Sequence, residues 1–400
     1  MKRRDFIKLT SSGLLAAATP FHSYAFDLSD KKKYLFLIEL SGGNDGLNTI
    51  VPLNQYSDYL DIRPNIHLQS DQLNKSFHSQ SQEFAFNPNL SSLFELYNQG
   101  DLIPLLGIGV KDSLGSKSHF KGLNIWNRGS SDLKNEGWLT QVNNNLSQIQ
   151  YQNASSLIIR PFRGTPLDGS DDTSIEIKNL EHFKEHQGYI RTLSDNNSNP
   201  KFRKTIEFIK KLEIDLNSLP GSVRKINFPE SDFGKDIKTA LILTSQPNTH
   251  IPIIKLRLSG FDTHFNQLDR HKKLMTELDL GVKSLVQALK EMGIYDNSLI
   301  FTYSEFGRRP YENISNGTDH GTSNVQFLIG GGVHGSRTFG YYPELLSNDK
   351  DKNLMTHLDF RKIYASIIKD FFNIPLSDKN IFNDRFFLHK DYYDPSLSLF

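Results

Sequence analysis

Leu299 to Gly335 reads LIFTYSEFGRRPYENISNGTDHGTSNVQFLIGGGVHG, and this stretch decides the fold class. Leu299 to Thr302 is a short run of residues suited to burial on both faces, the mark of a strand in a parallel α/β sheet. Glu305 comes just beyond its carboxyl end, where open α/β sheets gather their ligands. Asp319 and His320 then fall in a polar loop bounded by Gly317 and Gly321, ahead of a second apolar strand that starts near Val325. A hard oxygen beside an imidazole suits zinc, manganese or a related divalent ion. The pattern points to metal-assisted hydrolysis or to a relic of it. Gly330 to Gly335 also satisfies G-x-G-x-x-G after a strand, but Ser336 to Gly340 does not open a helix, so a tight turn is expected there instead of a dinucleotide loop.

Outward from this segment the chain alternates strands and helices. Tyr34 to Leu40 reads as a strand ended by the loop Ser41-Gly42-Gly43-Asn44-Asp45-Gly46, and Asn89 to Tyr97 has helical spacing before a strand at Leu102 to Gly107. Helices follow at Ser118 to Trp126 and Trp138 to Leu146, and a strand at Ala154 to Ile159. From about Gly164 to Asp232 the chain turns polar, with one helix at Phe202 to Leu216, and reads as an insertion. The regular pattern resumes with a helix at Phe233 to Thr244, a strand at Ile251 to Leu258, a long helix at Gln267 to Met292 and a last helix at Phe360 to Phe372. The expected fold is a doubly wound, mainly parallel α/β sheet flanked by helices, with an inserted polar lobe.

Ligand-type residues cluster at three strand ends. Asp45 follows the first strand, Asp262 and His264 follow the strand ending near Leu258, and Glu305 follows the one ending near Thr302. Parallel strands share a direction, so these ends converge on one sheet edge, with Asp319 and His320 able to close the set. Each residue has a plainer reading. Asp45 and Asp262 suit turn or helix-cap positions, and Glu305 suits an ion pair with Arg308 or Arg309.

The first residues bear on location. Lys2-Arg3-Arg4-Asp5-Phe6-Ile7-Lys8, an apolar run from Ser11 to Pro20 and a small-residue site at Ser23-Tyr24-Ala25 have the order of a twin-arginine export signal. Residues 1–25 are then a signal peptide, residues 26–400 the mature domain, and the export machinery a partner. The periplasm or the exterior is the expected destination. With no cysteine in the chain, a metal must be held by His, Asp and Glu. Lys and Arg number 46 against 45 Asp and Glu, for a net charge of +1, which gives no electrostatic case for nucleic acid. No apolar run after the signal is long enough for a transmembrane helix.

Taken together, SGGNDGLNTIVP at Ser41 to Pro52, SHF at Ser118 to Phe120, FDTH at Phe261 to His264, SEFGR at Ser304 to Arg308 and GTDHG at Gly317 to Gly321 resemble the exported domain-of-unknown-function-1501 family, grouped with the alkaline phosphatase and sulfatase superfamily. The resemblance implies an alkaline phosphatase-like sheet and a one- or two-metal centre. It sets Ser118 as nucleophile at a helix start, with Asp45, Asp262, His264 and His320 as ligands. Asp262 and His264 are only two apart, and Ser304-Glu305-Phe306 carries no histidine where an adjacent Asp-His pair would be expected. The implied reaction is in-line displacement on a small anionic phosphate or sulfate ester, with Arg308 or Arg309 contacting the anion and His119 orienting substrate, ligating or packing. An ordinary N-cap remains the plainer role for Ser118. The rival reading is a non-catalytic exported binding or scaffold protein with the same sheet.

Overall fold

The computed structural model describes residues 32–75, 84–111, 116–129, 137–149, 157–159, 175–178, 185, 219–246, 250–346, 353–374, 376 and 392–400. The expected signal peptide, the helix at Phe202 to Leu216 and most of the expected insertion lie outside the described residues.

The elements in chain order are β1 (Tyr34–Ser41), α1 (Gly46–Thr49), β2 (Ile50–Pro52), α2 (Tyr56–Ile62), β3 (Asn74–Lys75), β4 (Phe84–Phe86), α3 (Ser91–Gln99), β5 (Leu102–Gly109), α4 (His119–Arg128), α5 (Trp138–Ile149), β6 (Leu157–Ile159) and β7 (Ile175–Ile177). They continue with α6 (Gly221–Arg224), α7 (Asp232–Thr244), β8 (Ile253–Ser259), α8 (Gln267–Glu291), β9 (Ser298–Tyr303), β10 (Arg308–Glu312), β11 (Thr318–His320), β12 (Asn324–Ile329), β13 (Phe339–Gly340), β14 (Leu358–Asp359) and α9 (Phe360–Ser366).

A nine-stranded sheet runs in the order β13-β5-β12-β9-β1-β8-β6-β7, with β14 also paired to β5. β1 is parallel to both β8 and β9, and β6 is parallel to both β8 and β7. Among the described residues of this sheet, only β12 runs against its neighbours, β5 and β9. The sheet is therefore mainly parallel.

All eight residues of β1 are buried, and alternate side chains enter different cores. Phe36, Ile38 and Leu40 join residues of α3, α7 and α8 on one face. Leu35 and Leu37 join residues of α4, α5 and α9 on the other. Because successive strand side chains point to opposite faces, helices must cover both, and the sheet is doubly wound. α8 buries His271, Leu274, Leu278, Val282, Leu285 and Leu289 on one stripe, which presses it to the sheet along its 25 residues. Among the described residues no helix is long and apolar enough to cross a membrane.

Two local departures from the expected elements stand out. The polar loop expected around Asp319 is the strand β11, paired antiparallel to β10 with Arg308 opposite His320. Strands this short carry no readable alternation, and the tip holds them together through Asn313 N–H to Gly317 O at 2.8 Å. The final helix becomes a π-helical turn at Ile367–Phe371. At Gly330 to Gly335 the chain turns without opening a helix.

Candidate metal centre

β1, β8 and β9 end together, with Ser41 opposite Ser259 and Glu39 opposite Tyr303. Their following loops deliver Gly42 to Asp45, Asp262 to His264, and Ser304 with Glu305 to one edge. β12 runs the other way and so starts at this edge, which brings the β10–β11 ribbon over it. α4 supplies His119 from its first turn.

Close approach requires glycine in the first loop. Gly42 has φ +124°, and a Cβ there would lie 2.3 Å from the Asp262 backbone nitrogen. Gly43 has φ +82°, and its Cβ would lie 2.3 Å from the Phe306 ring. Both conformations and both contacts exclude a side chain. That Phe306 ring is the floor of the site, with centroids 5.0 Å from His119 and 4.4 Å from His320.

His119, Asp262 and His320 present donor atoms that all lie within 4.8 Å of one another. His119 Nδ1 is 2.8 Å from Glu305 Oε1, leaving Nε2 to face Asp262 Oδ2 at 3.6 Å. His320 Nδ1 is 2.8 Å from the Lys117 carbonyl oxygen, and its Nε2 is 3.1 Å from Asp262 Oδ1. A carbonyl only accepts, so His320 carries its hydrogen on Nδ1, and in the neutral ring Nε2 holds a lone pair. That lone pair faces a carboxylate oxygen, an arrangement that a cation between the two would satisfy. Burial lowers the His320 pKa, with the neighbouring Asp262 opposing and not prevailing. A divalent ion fits the donor set of two imidazoles and a carboxylate. Glu305 and the Lys117 carbonyl hold the rings by their outer nitrogens, as outer partners of metal-binding histidines do.

His264 sits at the outer side of this group. Its Nε2 lies 3.0 Å from His320 Nε2 and 3.1 Å from Asp262 Oδ1, and its Nδ1 is 3.5 Å from Asp319 Oδ1. Asp319 is half exposed, bonded by Asn313 at 3.2 Å and 3.9 Å from Arg309. Burial works to raise the Asp262 pKa, but the Arg308 guanidinium leads the contacts that hold it down at about 2. The hydrogen bond to Glu305, against the opposing effect of burial, raises that of His119.

Three expected site residues are placed differently from a ligand or anion-binding role. Asp45 caps α1 and is paired with the buried Arg63 at 2.6 Å, with Gln267 on the same carboxylate, so its oxygens are taken. Glu305 is 2% exposed and accepts from Gly42 N–H and Ser304 Oγ as well as facing His119. It orients a donor instead of supplying one. Arg308 is 1% exposed, and its guanidinium bonds the carbonyls of Gly42, Gly43, Phe261 and Thr318 together with Asp262 Oδ1 at 2.6 Å. It has no face toward a bound anion. Arg309 is the more open of the two arginines, with its side chain 34% exposed. Ser118 holds the N-cap position of α4, is exposed, and makes no side-chain cap hydrogen bond. The residues that sequence reasoning missed are Lys117, whose contribution is a carbonyl, and Arg63 and Gln267, each of which joins a near partner to one more than 200 positions away.

A doubly wound α/β protein with a His-His-Asp cluster at its strand ends is thus defined by fold and site. The chain belongs to the family described as Protein of unknown function (DUF1501), whose model matches residues 129–368. Asp262, His264, Glu305, Asp319 and His320 lie within that match, and Asp45, Ser118 and His119 precede it. No curated protein matches the sequence. Among solved structures the chain is similar to lipoteichoic acid synthase LtaP from Listeria monocytogenes, at 11% identity and TM-score 0.35, over 89% of this chain and 75% of that one. It is also similar to PsFucS1 sulfatase from Pseudoalteromonas sp., at 11% identity and TM-score 0.40, over 86% and 68%. A third similar structure is alkaline phosphatase from the Antarctic bacterium TAB5, at 9% identity and TM-score 0.31, over 77% and 95%. Likeness at this level carries nothing about substrate or chemistry.

Proposed function

We propose that this chain is an exported metal-dependent hydrolase of small phosphate or sulfate esters. One observation carries the reading: two imidazoles, each held at Nδ1 by an acceptor, aim Nε2 at the Asp262 carboxylate. His119, Asp262 and His320 would hold a zinc or manganese ion, with His264 and Asp319 on its open side. Such an ion, when bound, supplies stabilisation for negative charge on the nonbridging oxygens of the ester.

Ser118 is the nucleophile in this reading. It stands between Lys117, which fixes His320, and His119, and its hydroxyl is exposed and not used as a helix cap. Ser118 Oγ forms a bond to phosphorus or sulfur as the bond to the ester oxygen breaks, and the alcohol leaves with the serine proton. Water then cleaves the seryl ester, releasing phosphate or sulfate and restoring the hydroxyl. Arg309, with its side chain 34% exposed, is assigned the contact to the anion in this reading.

Metal content of the purified chain, measured by elemental analysis, tests the reading. One ion per chain is expected in the wild type and none in Asp262→Ala or His320→Ala, with hydrolysis of aryl phosphate or sulfate lost in the same variants. Equal metal content in all three proteins would sink the proposal. A second reading, a non-catalytic exported binding protein, draws on Arg308. Its buried guanidinium already neutralises Asp262 from 2.6 Å, so the cluster has an internal counter-charge. Bound metal without turnover of any ester would favour it.

A further inference from the structure

Gln267 touches none of the donor atoms, yet its side chain joins the segments that carry them. It is the first residue of α8 and is 0% exposed. Its Oε1 accepts from Thr263 Oγ at 3.0 Å and from Thr318 Oγ at 2.6 Å, and its Nε2 donates to Asp45 Oδ2. Thr263 lies between Asp262 and His264, and Thr318 lies two residues before His320. We propose that Gln267 is a positioning residue for the metal centre, its amide fixing the separation of the Asp262 and His320 segments; this rests on the metal reading above.

The chemistry leaves one orientation. Asp45 is held by Arg63 and accepts only, so the amide must turn its N–H toward Asp45 and its oxygen toward the two threonines. The backbone of Gln267 is fixed as well, its N–H donating to Asn316 O at 2.8 Å in the tip of the ribbon. Thr318 N–H in turn donates to Thr263 O at 3.2 Å, so the amide closes a ring of contacts between the two segments. Glutamate would set a second carboxylate against Asp45, and methionine would offer neither end of the amide. A shift of one threonine moves its neighbouring ligand away from the other segment, and metal affinity falls with that geometry.

Competition titration of the purified chain with Zn²⁺ against a chelator tests the assignment, using Gln267→Met, Thr318→Val and the double variant. Thr318→Val keeps shape and leaves Asp45 with all its partners, so it stays informative if Gln267→Met folds poorly. Each single change is expected to weaken Zn²⁺ binding about tenfold or more, the range for loss of an outer partner at a metal site. The double variant should lose no more than Gln267→Met alone. Tyr364→Phe removes two buried hydrogen bonds on the opposite face of the sheet, one to Trp126 O at 3.0 Å and one with Trp138, and should bind Zn²⁺ like the wild type. Wild-type affinity in both single variants, with binding abolished by His320→Ala, would overturn the positioning role and leave the centre standing. An equal loss in Tyr364→Phe would also overturn it, by marking a general effect of stability. Absence of Zn²⁺ binding by the wild type would overturn the centre and the positioning role together.

Discussion

Arg63 donates to both oxygens of Asp45 and to Asn48, and the two charged side chains are 0% and 1% exposed. Removing one partner of such a pair strands the other charge in a medium that cannot solvate it. Arg63→Met is therefore expected to cost about 3–5 kcal/mol of stability, read as a fall in the urea midpoint. A second buried group gives the fold a pH dependence. His271 is held neutral, burial lowering its pKa to about 4 from the usual 6.5, with Asp45 opposing and not prevailing. Below 6.5 the unfolded chain binds a proton that the folded chain refuses, so stability present at neutral pH is lost as pH falls toward 4. Between pH 7 and pH 5 the wild type should lose about 2 kcal/mol more than His271→Gln, which keeps a donor toward Asn44 and does not titrate. Equal losses in denaturant titrations at the two pH values would refute this. At this scale the sequence exposes residues whose position has meaning, such as Asp262 and His320 beside strand ends. It hides those defined by a partner: nothing near Arg63 in the chain announces Asp45, and an amide such as Gln267 has no signature at all.

Long elements were legible because burial repeats along them. β1, β5, β9 and the 25 residues of α8 show it, and their observed bounds differ from the expected ones by a residue or two. The β10–β11 ribbon and the small sheet of β2, β4 and β3 were not legible, since two to five residues cannot display a period. The loop after β1 shows how much an element of irregular backbone can decide. Its two glycines admit the Asp262 backbone on one side and the Phe306 ring on the other. Gly43→Ala must either abandon a positive φ or push that ring toward His119 and His320. We expect a loss of about 1–3 kcal/mol, measured by thermal or denaturant unfolding, together with weaker metal uptake. An unchanged melting curve would mean that the loop can relax away from Phe306.

The whole molecule adds the question of where it works. Residues 2–8 carry the paired arginines on which the export proposal rests. Replacing Arg3 and Arg4 together by lysine is expected to retain the chain, uncleaved, in the cytoplasm, as judged by fractionation and apparent mass. Export of the double variant at the wild-type level would refute that route.

The contact between the Lys117 carbonyl and His320 spans 203 positions, and that between His119 and Glu305 spans 186. During synthesis His119 emerges long before either partner exists, and the rings have nothing to hold them until the ribbon has been made. Closing so long a loop is a late event in folding, because its entropy must be met by contacts already in place elsewhere in the sheet. On the proposed reading, capture of an ion at this edge would certify that the chain has been made through residue 320. A chain that stops short of residue 320 has most of the strands and lacks the third member of the centre.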